Sequence, residues 1–301
     1  MIDAEAWCAR GTHHEVFGHR VFVVDEGPRD GPVLVVLHGY PTSSHDYEPV
    51  LPVLTRAGYR VILHDHLGFG LSDKPARYSY SLVEQAEVAL EVWRQLGVEG
   101  GVLVAHDYGT SVATELLARR ERGGLPWSVS RVVLCNGSMH IELAKPRLIQ
   151  HLLRSEWTGP TVARFASRAL FARNMRAILG KPEVLDDSAI DAMWSLLERA
   201  DGRARMPQIT RYLDERRRLW DRWIGALTRL DLPTLVLWGP LDPVALPAIA
   251  EQVAKETPGA TLQWLDGLGH YPMLEAPAVW GDAVVAFAGL GASSPAEGEQ
   301  G

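Results

Sequence analysis

Val102-Leu103-Val104-Ala105-His106-Asp107-Tyr108-Gly109-Thr110-Ser111 is the stretch on which the fold is decided. Its first four residues form an unbroken apolar run, the pattern of a strand covered on both faces. A helical pattern over 110–120 follows with no loop between. Small residues, Ala105 and Gly109, stand two positions either side of Asp107. That is the form of a strand-to-helix elbow, in which a sharp turn brings backbone segments together and lifts one side chain above the sheet. The lifted side chain is an aspartate. Neither Thr110 nor Ser111 stands at the elbow, so no serine nucleophile is offered.

Similar apolar runs lie at 33–37, 60–63, 132–134 and 234–238, with a more alternating one at 261–265 and a strand pair over 13–25 broken at Gly18-His19. Helical patterns fall at 45–57, 82–96, 110–120, 248–257 and 277–287. Alternating elements with short connections predict an α/β fold, a mostly parallel eight-stranded sheet with helices on both faces. The alternation fails between 137 and 230, where helical patterns occur without a strong strand. We therefore expect a core of residues 1–137 and 231–289, an inserted helical cap at 138–230, and a flexible tail at 290–301, which is small and polar.

Composition changes at the same place. Residues 140–230 carry 17 Lys and Arg against 11 Asp and Glu, and four of the ten tryptophans, whereas the remainder carries 13 against 26. The net charge of −7 argues against a nucleic-acid binder and against a polybasic membrane-surface protein, since both need a positive field. No secretory signal and no membrane-length apolar run is found, so a cytoplasmic location is expected. Cys8 and Cys135 are too few for a disulfide framework or a cysteine metal site. His64 and His66 alternate on one strand face, but two imidazoles without a third ligand do not make a metal site, and none is predicted. Gly68-Phe69-Gly70 is half of a dinucleotide fingerprint and lacks its third glycine. Arg216-Arg217-Arg218 is expected to be a solvated helix face.

In α/β sheets the ligand crevice lies at the carboxyl ends of the strands. The residues found there are His38-Gly39-Tyr40-Pro41, His106-Asp107-Tyr108-Gly109, Gly239-Pro240-Leu241-Asp242 and Gly267-Leu268-Gly269-His270. Nucleophile, acid and histidine occur in the order Asp107, Asp242, His270, which is the α/β-hydrolase order.

On these motifs, and on Asp65-His66-Leu67-Gly68-Phe69-Gly70-Leu71-Ser72-Asp73-Lys74-Pro75, the chain resembles the α/β-hydrolase superfamily over about residues 13–287. Within it the chain is similar to the epoxide hydrolase and haloalkane dehalogenase branch, whose nucleophile is an aspartate. Pro41-Thr42-Ser43-Ser44, Arg222-Trp223-Ile224-Gly225-Ala226-Leu227 and Gly239-Pro240-Leu241-Asp242-Pro243 look most like the mesoderm-specific transcript subgroup and its bacterial relatives.

The resemblance implies an alkyl ester on Asp107, hydrolysed by water that His270, oriented by Asp242, deprotonates. It places the oxyanion donors at the N–H groups of Tyr40 and Tyr108, and His38 and Trp223 at the substrate. Dehalogenases of this branch hold the halide with a Trp N–H after the nucleophile and an Asn or Trp N–H elsewhere; here Tyr108 and Tyr40 stand at two of those positions. Epoxide hydrolases protonate the leaving alkoxide with cap tyrosines, and Tyr212 is the candidate. Epoxide hydrolysis is thus the expected activity, with a small molecule and water as the partners and no cofactor. The chain is expected as a monomer or homodimer. The alternatives are a dehalogenase with an unusual halide site and a non-catalytic member of the fold.

Overall fold

The structure, a computed structural model, describes residues 1–289, and the tail expected at 290–301 lies outside them. The apolar runs become strands β1 (Thr12–Val16), β2 (His19–Glu26), β3 (Val33–Leu37), β4 (Arg60–His64), β5 (Gly100–His106), β6 (Ser128–Cys135), β7 (Thr234–Trp238) and β8 (Thr261–Trp264). They form one sheet in the order β1-β2-β4-β3-β5-β6-β7-β8. The pairs β1–β2 and β2–β4 are antiparallel and the others parallel. Phe17 and Gly18 both take positive φ, as a tight hairpin turn between twisted strands requires. Strands β4 and β7 are buried along their whole length.

Strand order reverses at β3, which pairs with β4 on one side and with β5 on the other. A crevice opens outside the strand ends at such a switch. The loops after β3 and β5, carrying Tyr40 and Asp107, flank it.

Helices Leu82–Gln95, Tyr108–Glu121, Pro247–Glu256 and Pro277–Ala288 connect or flank the strands where the patterns predict. Over 45–57 the single expected helix is instead a 3-10 turn, Ser44–Tyr47, and a short helix, Leu51–Arg56. Pro49 lies between them and has no N–H with which to continue the ladder. A helix at Ala4–Ala9, too short to show a period, was not expected; Asp3 caps it by accepting from the Ala6 N–H, and Trp7 buries it. Asp65 organises the long motif after β4: its carboxylate accepts from Ser44 N at 2.8 Å and Leu71 N at 2.7 Å.

Between β6 and β7 the chain forms the inserted cap, with helices Leu148–Arg154, Gly159–Arg164, Arg168–Arg176, Asp187–Glu198, Gly202–Ile209, Tyr212–Arg218 and Trp220–Thr228. The core holds it at several points. Buried Glu115 accepts from Arg222 Nε and Nη2 at 2.8 Å and from Trp223 Nε1 at 2.9 Å. Lys74 Nζ donates to the carbonyls of Leu196 and Arg199, each at 2.9 Å.

Candidate active site

Asp107 takes φ 42° and ψ −106°, a conformation that strains a residue with a Cβ. Its neighbours explain the need for small residues. A Cβ on Gly109 would run into the Leu37 carbonyl, and one on Gly39 would lie 2.6 Å from His106 Nδ1. Asp107 Oδ2 accepts from Tyr40 N at 3.0 Å. Tyr108 opens the next helix, so its N–H is among the first-turn donors that have no partner inside the helix. The two expected oxyanion donors thus flank Asp107, and one of them already holds its carboxylate.

His270 Nδ1 donates to Asp242 Oδ2 at 2.6 Å. The other Asp242 oxygen accepts from Val244 N at 2.7 Å and Ala245 N at 3.0 Å. Burial pushes the His270 imidazole down, but Asp242, Asp107 and Glu275 outweigh it and leave its pKa raised. Asp107 and His270 both line one cavity beneath the cap, with about 130 Å³ open to the centre of a water-sized sphere. Its remaining wall is mostly apolar cap, including Leu153, Phe171, Met175, Ile178 and Trp194. A carboxylate, a polarised imidazole and backbone N–H donors facing an apolar chamber can carry out nucleophilic substitution followed by hydrolysis.

Comparison with known proteins agrees with this geometry: the model of the alpha/beta hydrolase fold family matches residues 32–277. The chain belongs to that family. It is 43% identical to LipZ of Mycobacterium tuberculosis (strain H37Rv), a protein provisionally named a hydrolase, over 89% of this chain and 92% of that one. It is 34% identical to the mesoderm-specific transcript protein of Mus musculus, over 94% and 87%. The crystal structure of haloalkane dehalogenase DbeA from Bradyrhizobium elkani superposes with a TM-score of 0.79, at 24% identity over 94% and 99%. The protein is thus a hydrolase of the α/β-hydrolase fold.

Not every residue expected at the substrate of this α/β-hydrolase lies there. His38 is buried behind the oxyanion loop, outside the cavity wall. Its Nδ1 donates to the Gly39 carbonyl at 2.8 Å and its Nε2 accepts from His66 N at 3.0 Å, which fixes one neutral tautomer. Trp223 donates to Glu115 and does not line the cavity. Tyr212 is buried behind the wall, its ring 5.5 Å from that of Tyr40 and 5.3 Å from that of Tyr108, and its hydroxyl accepts from Gln150 Nε2 at 3.0 Å. Gln150 does line the cavity. His64 and His66 are buried with their ring nitrogens lacking protein partners, and no group of three metal-ligating side chains occurs among the described residues.

Four residues of the site escaped the sequence reading. Arg216, expected on a solvated face, is 1% exposed. Its Nε donates to Ser111 Oγ at 2.6 Å and its Nη2 to the Asp107 carbonyl at 3.0 Å, and Nη2 lies 3.7 Å from Asp107 Oδ1. The guanidinium stands over the Tyr212 ring, 4.5 Å from its centroid. His106 Nε2 donates to the His270 carbonyl at 2.7 Å. Asn136, at positive φ, donates from Nδ2 to Asp242 Oδ2 at 2.8 Å. Buried Glu275 accepts from Gly269 N at 3.0 Å and, from the cap, from Gly180 N at 2.8 Å and Lys181 N at 2.9 Å.

Proposed function

We propose that the protein hydrolyses a hydrophobic epoxide through an ester on Asp107. The observation that carries this is the aspartate at the elbow, held at Oδ2 by the Tyr40 N–H. That leaves Oδ1 to attack, in a chamber shared with the His270–Asp242 pair.

Oδ1 forms a bond to an epoxide carbon while the ring C–O bond breaks, and the electron pair passes to the departing oxygen. The proton for that oxygen is assigned to Tyr212, which stands behind the wall residues Tyr40 and Gln150 and so has to be uncovered as the epoxide enters. The Tyr212 hydroxyl accepts from Gln150, so its own hydrogen is not used in that bond. The hydrogen of Tyr40 is committed: Thr210 Oγ1 donates to the Met206 carbonyl, so at 3.0 Å from it the Tyr40 hydroxyl is the donor. Burial and the Asp107 charge push the Tyr212 hydroxyl up, and Arg216 over its ring offsets part of that rise; esterification of Asp107 removes another part. His270 Nε2 then takes a proton from water, whose oxygen attacks the ester carbonyl carbon. The oxyanion forms against the N–H groups of Tyr40 and Tyr108. Collapse breaks the bond to Oδ1 and releases the diol; His270 and the new carboxyl return the two protons to the departing alkoxide and to Tyr212.

In the His270→Ala variant the ester has no base to hydrolyse it. Intact-mass and peptide analysis after mixing with a panel of hydrophobic epoxides is expected to find an adduct on Asp107, absent from Asp107→Asn. No adduct with any epoxide overturns the reading. A dehalogenase is the second reading, favoured by the likeness of fold to DbeA; halide release from a haloalkane panel separates the two.

A further inference from the structure

The outer surface of the cap exposes large apolar side chains: Trp157 is 92% exposed, Phe165 74% and Leu148 73%. They stand on a built surface. Helices Leu148–Arg154 and Gly159–Arg164 pack against each other. Thr158 Oγ1 donates to the Leu152 carbonyl at 2.6 Å and Gly159 N to the Ser155 carbonyl at 2.8 Å, which sets the turn that carries Trp157. The inner faces of the same helices, at Ile149, Leu153 and Val162, line the cavity. Ser167 and Leu170 are both exposed and in its wall, so its mouth opens beside Phe165.

Charge gives the patch a partner. Residues 145–181 carry eight Lys and Arg and one acidic residue, Glu156, in a chain of net charge −7. Arg154, Arg168 and Arg176 meet aspartates elsewhere in the cap, and Glu156 meets Arg211. Exposed Arg164 and Arg173 have no carboxylate within 4.0 Å among the described residues. Single exposed apolar residues are ordinary, but Leu148, Trp157 and Phe165 all belong to one packed helix pair and its ends, with unpaired Arg164 next to Phe165 in the chain. Amphipathic rings with nearby Arg are the composition of a surface that lies in a headgroup layer.

We propose that this face of the cap docks on an anionic lipid bilayer. Trp157, Phe165 and Leu148 enter the boundary between headgroups and chains, and Arg164 and Arg173 meet lipid phosphates. No helix among the described residues is long and apolar enough to cross a membrane, so the contact is one of surface. The net negative charge does not prevent it, because screening over a Debye length of about 8 Å leaves the bilayer facing the local charge. Resting on the reading of the cavity given above, a lipophilic substrate would pass from the bilayer into the mouth.

The test is sedimentation of the full chain with vesicles of phosphatidylcholine, alone or with about 30% phosphatidylglycerol. Binding to the mixed vesicles is expected to be roughly tenfold stronger at low salt, a preference that is lost at high salt. Trp157→Ser with Phe165→Ser, and separately Arg164→Gln with Arg173→Gln, are expected to abolish the preference while hydrolysis of a water-soluble epoxide is unchanged. Equal sedimentation with both vesicles overturns the proposal, as does binding that survives both double substitutions. A dimer that dissociates in the Trp157→Ser, Phe165→Ser variant overturns it too, and assigns the face to a second copy of the chain. Vesicle binding is read without turnover, so a failed epoxide assay leaves this result standing.

Discussion

Asp107 rests with one oxygen in the oxyanion site and the other near a guanidinium, so its two oxygens are already unlike before substrate arrives. Arg216→Met removes the charge beside the attacking oxygen and beside Tyr212. Ester formation is expected to slow by about a hundredfold, the scale of losing one preorganised electrostatic partner, with ester hydrolysis changed far less; rapid-quench kinetics separates the two steps. The second step belongs to His270. Its pKa is raised from an ordinary value near 6.5, and only the neutral ring can take a proton from water. The rate of ester hydrolysis is therefore expected to fall on the acid side as the ring protonates, and Asp242→Asn, which removes the charge that does most to raise it, to move that midpoint down, in single-turnover pH profiles. That Asp107, Asp242 and His270 meet at one end of the sheet was legible because each follows a strand-like run, where α/β folds display chemistry. Arg216 was not, because a run of three arginines looks the same whichever way its helix is turned. The available clue was its spacing: it stands four residues after Tyr212, on the same face.

At the scale of elements, the helix Tyr108–Glu121 does two things at once. Its first residue presents an oxyanion N–H, and on its third turn Glu115 grips the last cap helix through Arg222 and Trp223. Removing one partner of so buried a cluster leaves the others unpaired. Glu115→Ala is expected to lower stability by about 3 kcal/mol in denaturant unfolding. Burial pushes the Glu115 carboxyl up, but Arg222, Trp223 and Arg119 outweigh it and hold it below its ordinary value near 4.5. That stabilisation is present above pH 4.5 and is lost as pH falls through the lower, folded-state value. Element positions were readable from periodicity to within a residue or two for the strands, except that β6 begins four residues before the apolar run at 132–134, where its residues alternate between exposed and buried. The exceptions have local causes, Pro49 dividing one helix and six residues being too few to show a period at Ala4–Ala9. His38 and Trp223 were misplaced for another reason: hydrogen bonding to a loop amide and to a distant carboxylate leaves no trace in the spacing of either residue.

For the whole molecule, charge was legible as a sum and as a split, and the split is the informative part. The core holds the surplus of acid, and the basic excess sits on the cap over the cavity. The sheet and the cap also differ in how they are secured. Amide exchange followed by mass spectrometry is expected to be slowest in β3 through β7 and markedly faster in 148–170, whose hydrogen bonds stay inside the cap; uniform protection would refute this. The joints to the core lie elsewhere. Lys145 N donates to the Val244 carbonyl on one side of that stretch, and His270 N to the Ile178 carbonyl at 2.9 Å on the other, next to the Glu275 bonds with Gly180 and Lys181. Mechanically the cap is a plate pinned to the loop that carries His270 and again at Lys74, Glu115 and the Asp107 elbow. Moving those pins would displace His270 or Asp107, so an opening that admits substrate and keeps both in register has to come from 148–170, which makes no hydrogen bond to the core among the described residues and carries Ser167 and Leu170.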